Sequence, residues 1–210
     1  MSAAKVKIRG TLPGRFHSSG PGKLGAGDFA RWYRRELLRA WDALDWAGFE
    51  AIAKAVTEAG DKGRQVFVMG NGGSAATASH MAVDFSKTAA NPKKPLLRCL
   101  SLADNPSFIT AVGNDLSFDE AFSRQMENLL NPKDVVLFIS GSGNSKNLLS
   151  AARLARRRKA FSAAFLGFDG GSLKGLVDAA VVVPSDQYGV IEDVHLSLGH
   201  MLTFYLKQRA

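Results

Sequence analysis

The stretch from position 65 to position 75 reads Gln65-Val66-Phe67-Val68-Met69-Gly70-Asn71-Gly72-Gly73-Ser74-Ala75. A short apolar run passes directly into a glycine-rich turn and then into residues with helical spacing, which is typical of a buried strand followed by a helix. Similar apolar runs recur at 97–102, 135–139, 163–168 and 180–184. Because these runs are continuous rather than alternating, they indicate strands covered on both faces. The sequence therefore predicts one α/β domain with a doubly wound parallel sheet.

The segments between and after these runs have helical spacing, at about 74–90, 105–113, 118–130, 144–159, 171–177 and 189–208. Ahead of the first run, apolar residues at helical spacing between Asp28 and Ala59 predict two helices or one bent helix, with Asp28 as the N-cap. Residues 1–26 combine Gly, Ser and Pro with an excess of Lys and Arg, which predicts a flexible basic tail. The folded domain would then comprise residues 27–210.

The overall composition is that of a globular protein, with 46% apolar and 22% charged residues among 210. No apolar run approaches the roughly 20 residues that cross a bilayer, and the N-terminus lacks the apolar core of a secretory signal. The single cysteine, Cys99, cannot form an internal disulfide. We therefore expect a cytoplasmic protein without a membrane partner. The net charge of +8 is concentrated in the basic tail, so we do not expect a nucleic-acid partner.

Two turns at strand ends have the composition of anion-binding sites. The first, residues 70–74, supplies flexible glycines, the hydroxyl of Ser74 and the amides of a helix N-terminus. The second, Ser140-Gly141-Ser142-Gly143-Asn144-Ser145, provides three hydroxyls at the end of the run 135–139. Serine and glycine clusters are often ordinary loops, but ligands of parallel sheets bind beyond the carboxyl ends of the strands. The two turns together predict a binding site for a phosphate group.

Two pairs of ionisable residues have a helical spacing that brings their side chains to one face. His80 and Asp84 are four residues apart, and Glu192 and His200 are eight residues apart. The spacing alone also fits an ion pair on a helix surface and a histidine in the core, so both interpretations stay open. A further histidine, His195, lies about 140° around the last helix from His200 and is expected to be structural or at a subunit contact.

The chain resembles the sugar isomerase (SIS) domain family and, within it, the phosphoheptose isomerases. The resemblance covers about residues 30–208 and rests on five segments in the family's order. They are residues 70–74 with His80, Ala111-Val112-Gly113-Asn114-Asp115, residues 140–145, Asp169-Gly170-Gly171, and the last helix with Glu192, His195 and His200. The resemblance implies a five-stranded parallel sheet, a homotetramer with active sites at subunit junctions, and a phosphorylated sugar as ligand.

The resemblance also implies an activity and a set of site residues. Phosphoheptose isomerases interconvert sedoheptulose 7-phosphate and D-glycero-D-manno-heptose 7-phosphate, and the family's zinc ligands match His80, Asp84, Glu192 and His200. Asp84 would be the base at one carbon and His200 the partner acid or base. The positions that match substrate-binding residues are Asn71, Gly72, Gly73, Ser74, Asp104, Ser140, Ser142, Ser145 and Glu192.

Five positions depart from the family's pattern, and one of them is Thr88, where an arginine is expected. Asp84 stands where the family has glutamate, and Glu192 stands where it typically has glutamine. Gly141 replaces a threonine, and Gly189 replaces an aspartate that contacts substrate hydroxyls. Because these departures fall on the sugar side of the site, two alternatives stay open. One is an isomerase of another sugar, and the other is a non-catalytic SIS protein that binds a phosphosugar or acts as an adaptor for the replication initiator.

Overall fold

The structure, a computed structural model, describes residues 21–208 of the 210. Its strands are β1 (Gln65–Met69), β2 (Arg98–Ser101), β3 (Val135–Ser140), β4 (Phe161–Gly167) and β5 (Ala179–Val183). Its α-helices are α1 (Ala26–Asp42), α2 (Trp46–Asp61), α3 (Gly73–Val83), α4 (Pro106–Asp115), α5 (Ser123–Leu129), α6 (Lys146–Arg157), α7 (Gly171–Lys174) and α8 (Tyr188–Lys207). A π-helical segment (Asp84–Thr88) continues α3, and a 3₁₀ turn (Phe118–Glu120) precedes α5. Residues 1–20 of the predicted basic tail lie outside the described residues.

The five strands form one parallel sheet in the order β2-β1-β3-β4-β5, which confirms the predicted fold class. Side chains alternate across β1, so Val66 and Val68 join one core cluster while Phe67 and Met69 join the other. Helices α2, α3 and α8 cover the first cluster, and α5, α6 and α7 cover the second. Because helices cover both faces, the sheet is doubly wound.

The N-terminal segment forms two separate helices rather than one bent helix. Asp45 begins α2, and its side chain accepts a hydrogen bond of 3.0 Å from the Ala47 amide. The prediction that Asp28 caps the first helix is wrong, since α1 already begins at Ala26. Asp28 lies in the first turn and forms an ion pair of 2.7 Å with Arg31. An acidic residue is favourable anywhere in the first turn, so composition alone does not identify the cap.

Two of the predicted helices differ from the elements observed. The predicted helix at 118–130 is a 3₁₀ turn followed by α5, because Ser117 caps the turn and Phe122 then enters the second core cluster. The predicted helix at 74–90 changes from α to π geometry at Asp84. Among the described residues, no helix combines the length and apolar character needed to cross a membrane.

The strand order reverses at β1, which has β2 on one side and β3 on the other. Helix α3 follows β1 and packs on the first cluster, whereas α6 follows β3 and packs on the second. The loops after β1 and β3 therefore diverge to opposite faces and leave a crevice between them. Open α/β sheets bind ligands at such a crevice, and both hydroxyl-rich turns lie there.

Candidate active site

A pair of asparagines joins the two turns. Asn71, in the turn after β1, and Asn147, in the first turn of α6, exchange two side-chain hydrogen bonds of 3.0 and 2.8 Å. Asn147 is buried, so its polar atoms need these partners. Sequence reasoning missed Asn147, because a partner 76 residues away leaves no local signal. The exchange holds the two turns at a defined separation.

A cavity of about 140 Å³ lies between the turns, and we call it the serine cavity. It is lined by Asn71, Ser74, Ile139, Ser140, Gly141, Ser142, Ser145, Tyr188 and Glu192. The Ser140 hydroxyl accepts a hydrogen bond of 3.0 Å from the Gly143 amide, and the Ser142 hydroxyl accepts one of 3.3 Å from the Asn144 amide. Since both oxygens accept from the backbone, both hydroxyl hydrogens remain available to donate to an anion.

The second turn is supported from behind by the start of α7. Gly143 has a φ of 63° and lies against the Gly170 carbonyl, where a β-carbon would collide with it. The Asn144 side chain accepts from the Ser172 amide at 2.9 Å and donates to the Ser142 carbonyl at 2.9 Å. These contacts hold the turn in a shape that presents its hydroxyls to the cavity.

Glu192 extends from α8 into the serine cavity. Its carboxylate covers Gly73 so closely that a β-carbon on Gly73 would lie 2.5 Å from Oε1. Gly73 is the first residue of α3, and a helix N-terminus stabilises a negative charge. The Glu192 carboxylate therefore lies where the first turn would otherwise receive an anion.

Two tyrosines fill the space beside the glycines at 141 and 189. A β-carbon on Gly141 would lie 2.8 Å from the Tyr188 ring, and one on Gly189 would lie 2.9 Å from the Tyr33 hydroxyl. Tyr33 donates a hydrogen bond of 2.6 Å to Asp193, and burial followed by this bond raises its pKa. Burial and then the charge of Glu192 raise the pKa of Tyr188. Both hydroxyls therefore stay protonated and are able to donate hydrogen bonds.

His80, Asp84 and His200 come together beside the serine cavity, and we call them the histidine–aspartate cluster. The two histidine Nε2 atoms are 3.0 Å apart, and Asp84 Oδ2 is 3.4 Å from His80 and 3.7 Å from His200. Asp84 is mostly buried, whereas both imidazoles are about half exposed. Asp84 is the first residue of the π-helical segment that continues α3, and π-helical geometry is common at functional sites.

The three facing atoms of the histidine–aspartate cluster suit a divalent metal ion. Imidazole nitrogen and carboxylate oxygen are common zinc ligands, and ligand atoms about 2.0–2.1 Å from a tetrahedral zinc ion lie about 3.3 Å from one another. The measured separations of 3.0, 3.4 and 3.7 Å bracket that value. The three atoms are also the only group of this kind among the described residues.

Helices α3 and α8 lie side by side and run in the same direction. Glu192 contacts Gly73 near their starts, and Gly199 packs tightly against Met81 further along. Eight residues of α8, or about 12 Å at 1.5 Å per residue, separate Glu192 from His200. Glu192 therefore lies with the serine cavity in this structure, while the other three predicted metal ligands form the cluster.

Asp104 accepts a short hydrogen bond from the Ser79 hydroxyl. Ser79 precedes His80 on α3, so this bond ties the predicted substrate-contacting carboxylate to the helix that carries His80. Ser79 is a second residue that sequence reasoning missed, because serine within a helix is usually unremarkable.

His195 does not join the site. It is fully buried, and its ring packs 6.1 Å from that of Phe165; among residues 21–208 neither ring nitrogen has a partner with good hydrogen-bond geometry, although the Leu166 backbone is near. Burial lowers its pKa to about 4, an effect that the nearby Leu166 backbone offsets only in part. His195 is therefore a neutral residue of the core rather than a group exposed for a subunit contact.

Comparison with known proteins identifies related sequences and folds. Residues 32–167 match the SIS domain. A probable phosphoheptose isomerase of Thermoplasma acidophilum is 38% identical over 86% of this chain and 98% of its own length. A phosphoheptose isomerase of Pelobacter propionicus is 44% identical over 72% of this chain and 79% of its own. The solved structure of a phosphoheptose isomerase from Francisella tularensis superposes with a TM-score of 0.80, at 29% identity, over 87% of this chain and 96% of its own.

Proposed function

Since the chain belongs to the SIS domain family and, within it, to the phosphoheptose isomerases, we propose that it interconverts sedoheptulose 7-phosphate and D-glycero-D-manno-heptose 7-phosphate with the help of a bound metal ion. As a member of that family it is an aldose–ketose isomerase. The observation that carries the proposal is the histidine–aspartate cluster, which lies about two helical turns from the serine cavity along α3 and α8.

The serine cavity binds the phosphate in this proposal. Ser74, Ser140, Ser142 and Ser145 surround it with neutral hydroxyl donors, and Gly73 places the start of α3 beside it. A phosphate dianion gains from hydroxyl donors and from helix amides, without needing a lysine. The volume of about 140 Å³ suits a phosphate group rather than a whole sugar. The sugar carbons must therefore extend out of the cavity.

The distance between the two parts of the site favours a seven-carbon substrate. His80 lies seven residues beyond Gly73 on α3, a rise of about 10.5 Å. An extended chain gains about 1.2 Å per bond, so about eight bonds from C1 to phosphorus span roughly 10 Å in a ketoheptose 7-phosphate. A hexose 6-phosphate is one bond shorter and would not bring C1 and C2 to the cluster as closely.

Asp84 can serve both as a ligand and as a base, because a carboxylate has two oxygens. Oδ2 faces the two histidines, which leaves Oδ1 to remove a proton from one carbon and return it to the neighbouring carbon. His200 Nε2 faces His80 and Asp84, so that nitrogen does not transfer a proton while it holds a metal ion. His80, Asp84 and His200 would hold the ion, which supplies a positive charge that stabilises the enediolate oxygens.

Tests of this proposal use sedoheptulose 7-phosphate with the wild-type protein, before and after removal of metal by a chelator and after return of zinc. An aldose phosphate should form at least tenfold faster than from fructose 6-phosphate, and the chelator should abolish the reaction until zinc is returned. A His200→Ala variant is compared with Lys207→Ala, which changes an exposed position on the same helix. If wild type turns over no faster than His200→Ala, the catalytic role fails.

Exposed apolar side chains support a homotetramer as part of the proposal. Large hydrophobic residues are exposed on the outer faces of α1 and α8, namely Phe29, Leu38, Met201, Phe204 and Tyr205. Met201, Phe204 and Tyr205 have the spacing of one face of α8, and exposed apolar side chains grouped in this way are typical of a subunit interface. The predicted cytoplasmic location stays a prediction.

The adaptor hypothesis is the less favoured alternative. A protein that only binds a phosphosugar needs the serine cavity but not the histidine–aspartate cluster. The facing atoms of His80, Asp84 and His200 lie within 3.7 Å of one another, which favours a catalytic protein.

A further inference from the structure

A second, larger cleft of about 520 Å³ opens at the end of the sheet where the strands begin. It lies below the amino ends of β1, β3, β4 and β5, whereas the serine cavity lies at their carboxyl ends. We call it the basic cleft, because its charged lining consists of the cations Lys62, Arg64, Lys133, Arg156 and Lys159 and the anions Glu58 and Asp178. The isomerase reaction uses none of these residues.

Both carboxylates of the basic cleft are already engaged. Glu58 pairs with Lys62 and lies 3.9 Å from Arg64, and the bond from Lys62 lowers its pKa. Asp178 accepts hydrogen bonds of 2.8 Å from both the amide and the hydroxyl of Ser162. The side chains of Lys133, Arg156 and Lys159 have no ion pair or hydrogen bond with any residue between 21 and 208. The hydrogen bonds to Asp178 come from neutral groups and leave its charge in place, so the five cations and two carboxylates give the lining a net charge of +3.

Two of these cations stand at backbone positions that disfavour them. Lys133 has a φ of 72° and Lys159 a φ of 58°. This is the left-handed region, which glycine adopts at a lower free-energy cost than lysine. The Lys133 amide donates a hydrogen bond of 2.9 Å to the Lys159 carbonyl, so the two strained residues lie side by side. Strained non-glycine residues of this kind cluster at functional sites. The residue after a helix C-cap commonly adopts this conformation, which accounts for Lys159, so Lys133 is the position at which a strained lysine indicates a function.

The ends of two helices explain only part of the basic charge. Helices α2 and α6 end at the cleft, and cations such as Lys62 and Arg156 are favourable near a helix C-terminus. Lys133 belongs to no helix, since it stands in the loop before β3. Lys159 directly follows Arg158, the C-cap of α6, so this helix end accounts for Lys159 but not for Lys133.

We infer that the basic cleft binds a small polyanion with two or more phosphate groups, at a site separate from the serine cavity. A net charge of +3 in the lining matches the charge of a diphosphate better than that of a single phosphate. The volume of about 520 Å³ lies within the range of about 300–1,000 Å³ for small-molecule sites. Val135, Ala160 and Phe161 add an apolar floor that suits the organic part of such a ligand.

The test is a calorimetric titration of the full-length protein with inorganic pyrophosphate at physiological ionic strength. The variant Lys133→Gly/Lys159→Gly removes two cations and places glycine at both positive φ angles, so folding should be preserved and its thermal midpoint should not fall. We expect its affinity for pyrophosphate to drop at least tenfold. The control Lys23→Gly/Lys93→Gly removes two exposed lysines elsewhere and should bind like wild type.

Binding at the serine cavity is separated by repeating the titration in a Ser142→Ala/Ser145→Ala protein, where the event at the basic cleft should persist. The inference is overturned if wild type and Lys133→Gly/Lys159→Gly bind pyrophosphate equally, or if the control loses as much affinity. It is also overturned if a 20-nucleotide single-stranded DNA binds through these two lysines while pyrophosphate does not. None of these outcomes depends on whether the protein isomerises a heptose phosphate.

Discussion

The Glu192 carboxylate lies against Gly73, in the same cavity as the serine hydroxyls that would bind the substrate phosphate. Unit charges of like sign about 5 Å apart repel by about 3 kcal/mol at an effective dielectric constant near 20. Phosphate binding therefore requires Glu192 to move away or to be neutralised. The resemblance implies that Glu192 is a metal ligand; if it joins the histidine–aspartate cluster when a metal ion binds, its carboxylate leaves the serine cavity.

We expect Glu192→Gln to strengthen the binding of inorganic phosphate to the metal-free protein about tenfold, because the variant removes the repelling charge. The measurement is calorimetric titration with phosphate, with and without zinc. Zinc should reduce the difference in phosphate affinity between Glu192→Gln and wild type. Glu50→Gln removes one charge at an exposed position of α2 and serves as the control. An equal gain in both variants would show that net charge, not the position of Glu192, controls affinity.

The asparagine exchange predicts an energetic coupling between the two turns. Asn71→Ala and Asn147→Ala should each lower the free energy of unfolding by about 1–3 kcal/mol, since each leaves a partner unsatisfied. The loss of free energy of unfolding in the double variant should be smaller than the sum of the two single losses by about 1 kcal/mol or more. Urea unfolding of wild type, the two single variants and the double variant gives the coupling energy between Asn71 and Asn147 directly. Additive losses would contradict the role of the exchange.

The fold could be predicted from local patterns, because each strand of the sheet is a continuous apolar run. The run Gln65–Met69 coincides with β1, and the other four runs lie within two residues of their strands. The positions where helices begin and change geometry could not be predicted. Asp28 and Asp45 have the same chemistry, yet only Asp45 caps a helix, and nothing local marks the change to π geometry at Asp84.

The site was predictable only where its residues are adjacent in the chain. The two serine turns and the pair His80 and Asp84 carry a local spacing signal, whereas their association depends on contacts across the sheet. Asn147, Ser79 and the tyrosines that cover Gly141 and Gly189 come from other elements. Their roles follow from tertiary packing, which no periodicity in the sequence encodes.

Asp84 has a reach that matches the histidine–aspartate cluster, so lengthening it should be harmful. Asp84→Glu moves the carboxylate by about one bond, or roughly 1 Å, and should lower kcat about 10²-fold. Asp84→Asn removes the base and should lower kcat about 10³-fold or more. Turnover of sedoheptulose 7-phosphate and zinc binding by dialysis measure both effects. Asp115→Asn, at an exposed position, is the control, and wild-type turnover by Asp84→Glu would refute the argument.

Phe204 is 55% exposed on the outer face of α8, which predicts a role in subunit association. Phe204→Glu places a charge in a desolvated interface and should shift the mass in light scattering from about four times the 22.5 kDa chain towards smaller species. Phe118→Glu is a matched control, because Phe118 is 54% exposed on a different element. If both variants keep the mass of wild type, this face of α8 is not an interface.

His195 predicts a loss of stability in mild acid. Its pKa is about 4 in the folded protein and about 6.5 in the unfolded chain, so the unfolded state binds more protons between these values. Protons therefore favour unfolding as the pH falls from 6.5 to 4, and the full contribution is about 3 kcal/mol at 1.36 kcal/mol per pH unit. Stability falls with falling pH because His195 is buried in its neutral form and must be protonated at the expense of the folded state.

The variant His195→Leu isolates this contribution, because all other titrating groups are unchanged. Leucine has a similar size and leaves no unsatisfied nitrogen, so at pH 7 its free energy of unfolding should be close to that of wild type or higher. At pH 4.5 urea unfolding should show the variant to be more stable than wild type by about 2–3 kcal/mol. If the free energy of unfolding falls equally in wild type and His195→Leu between pH 7 and pH 4.5, the prediction is wrong. His195 would then take up its proton without destabilising the folded core around it.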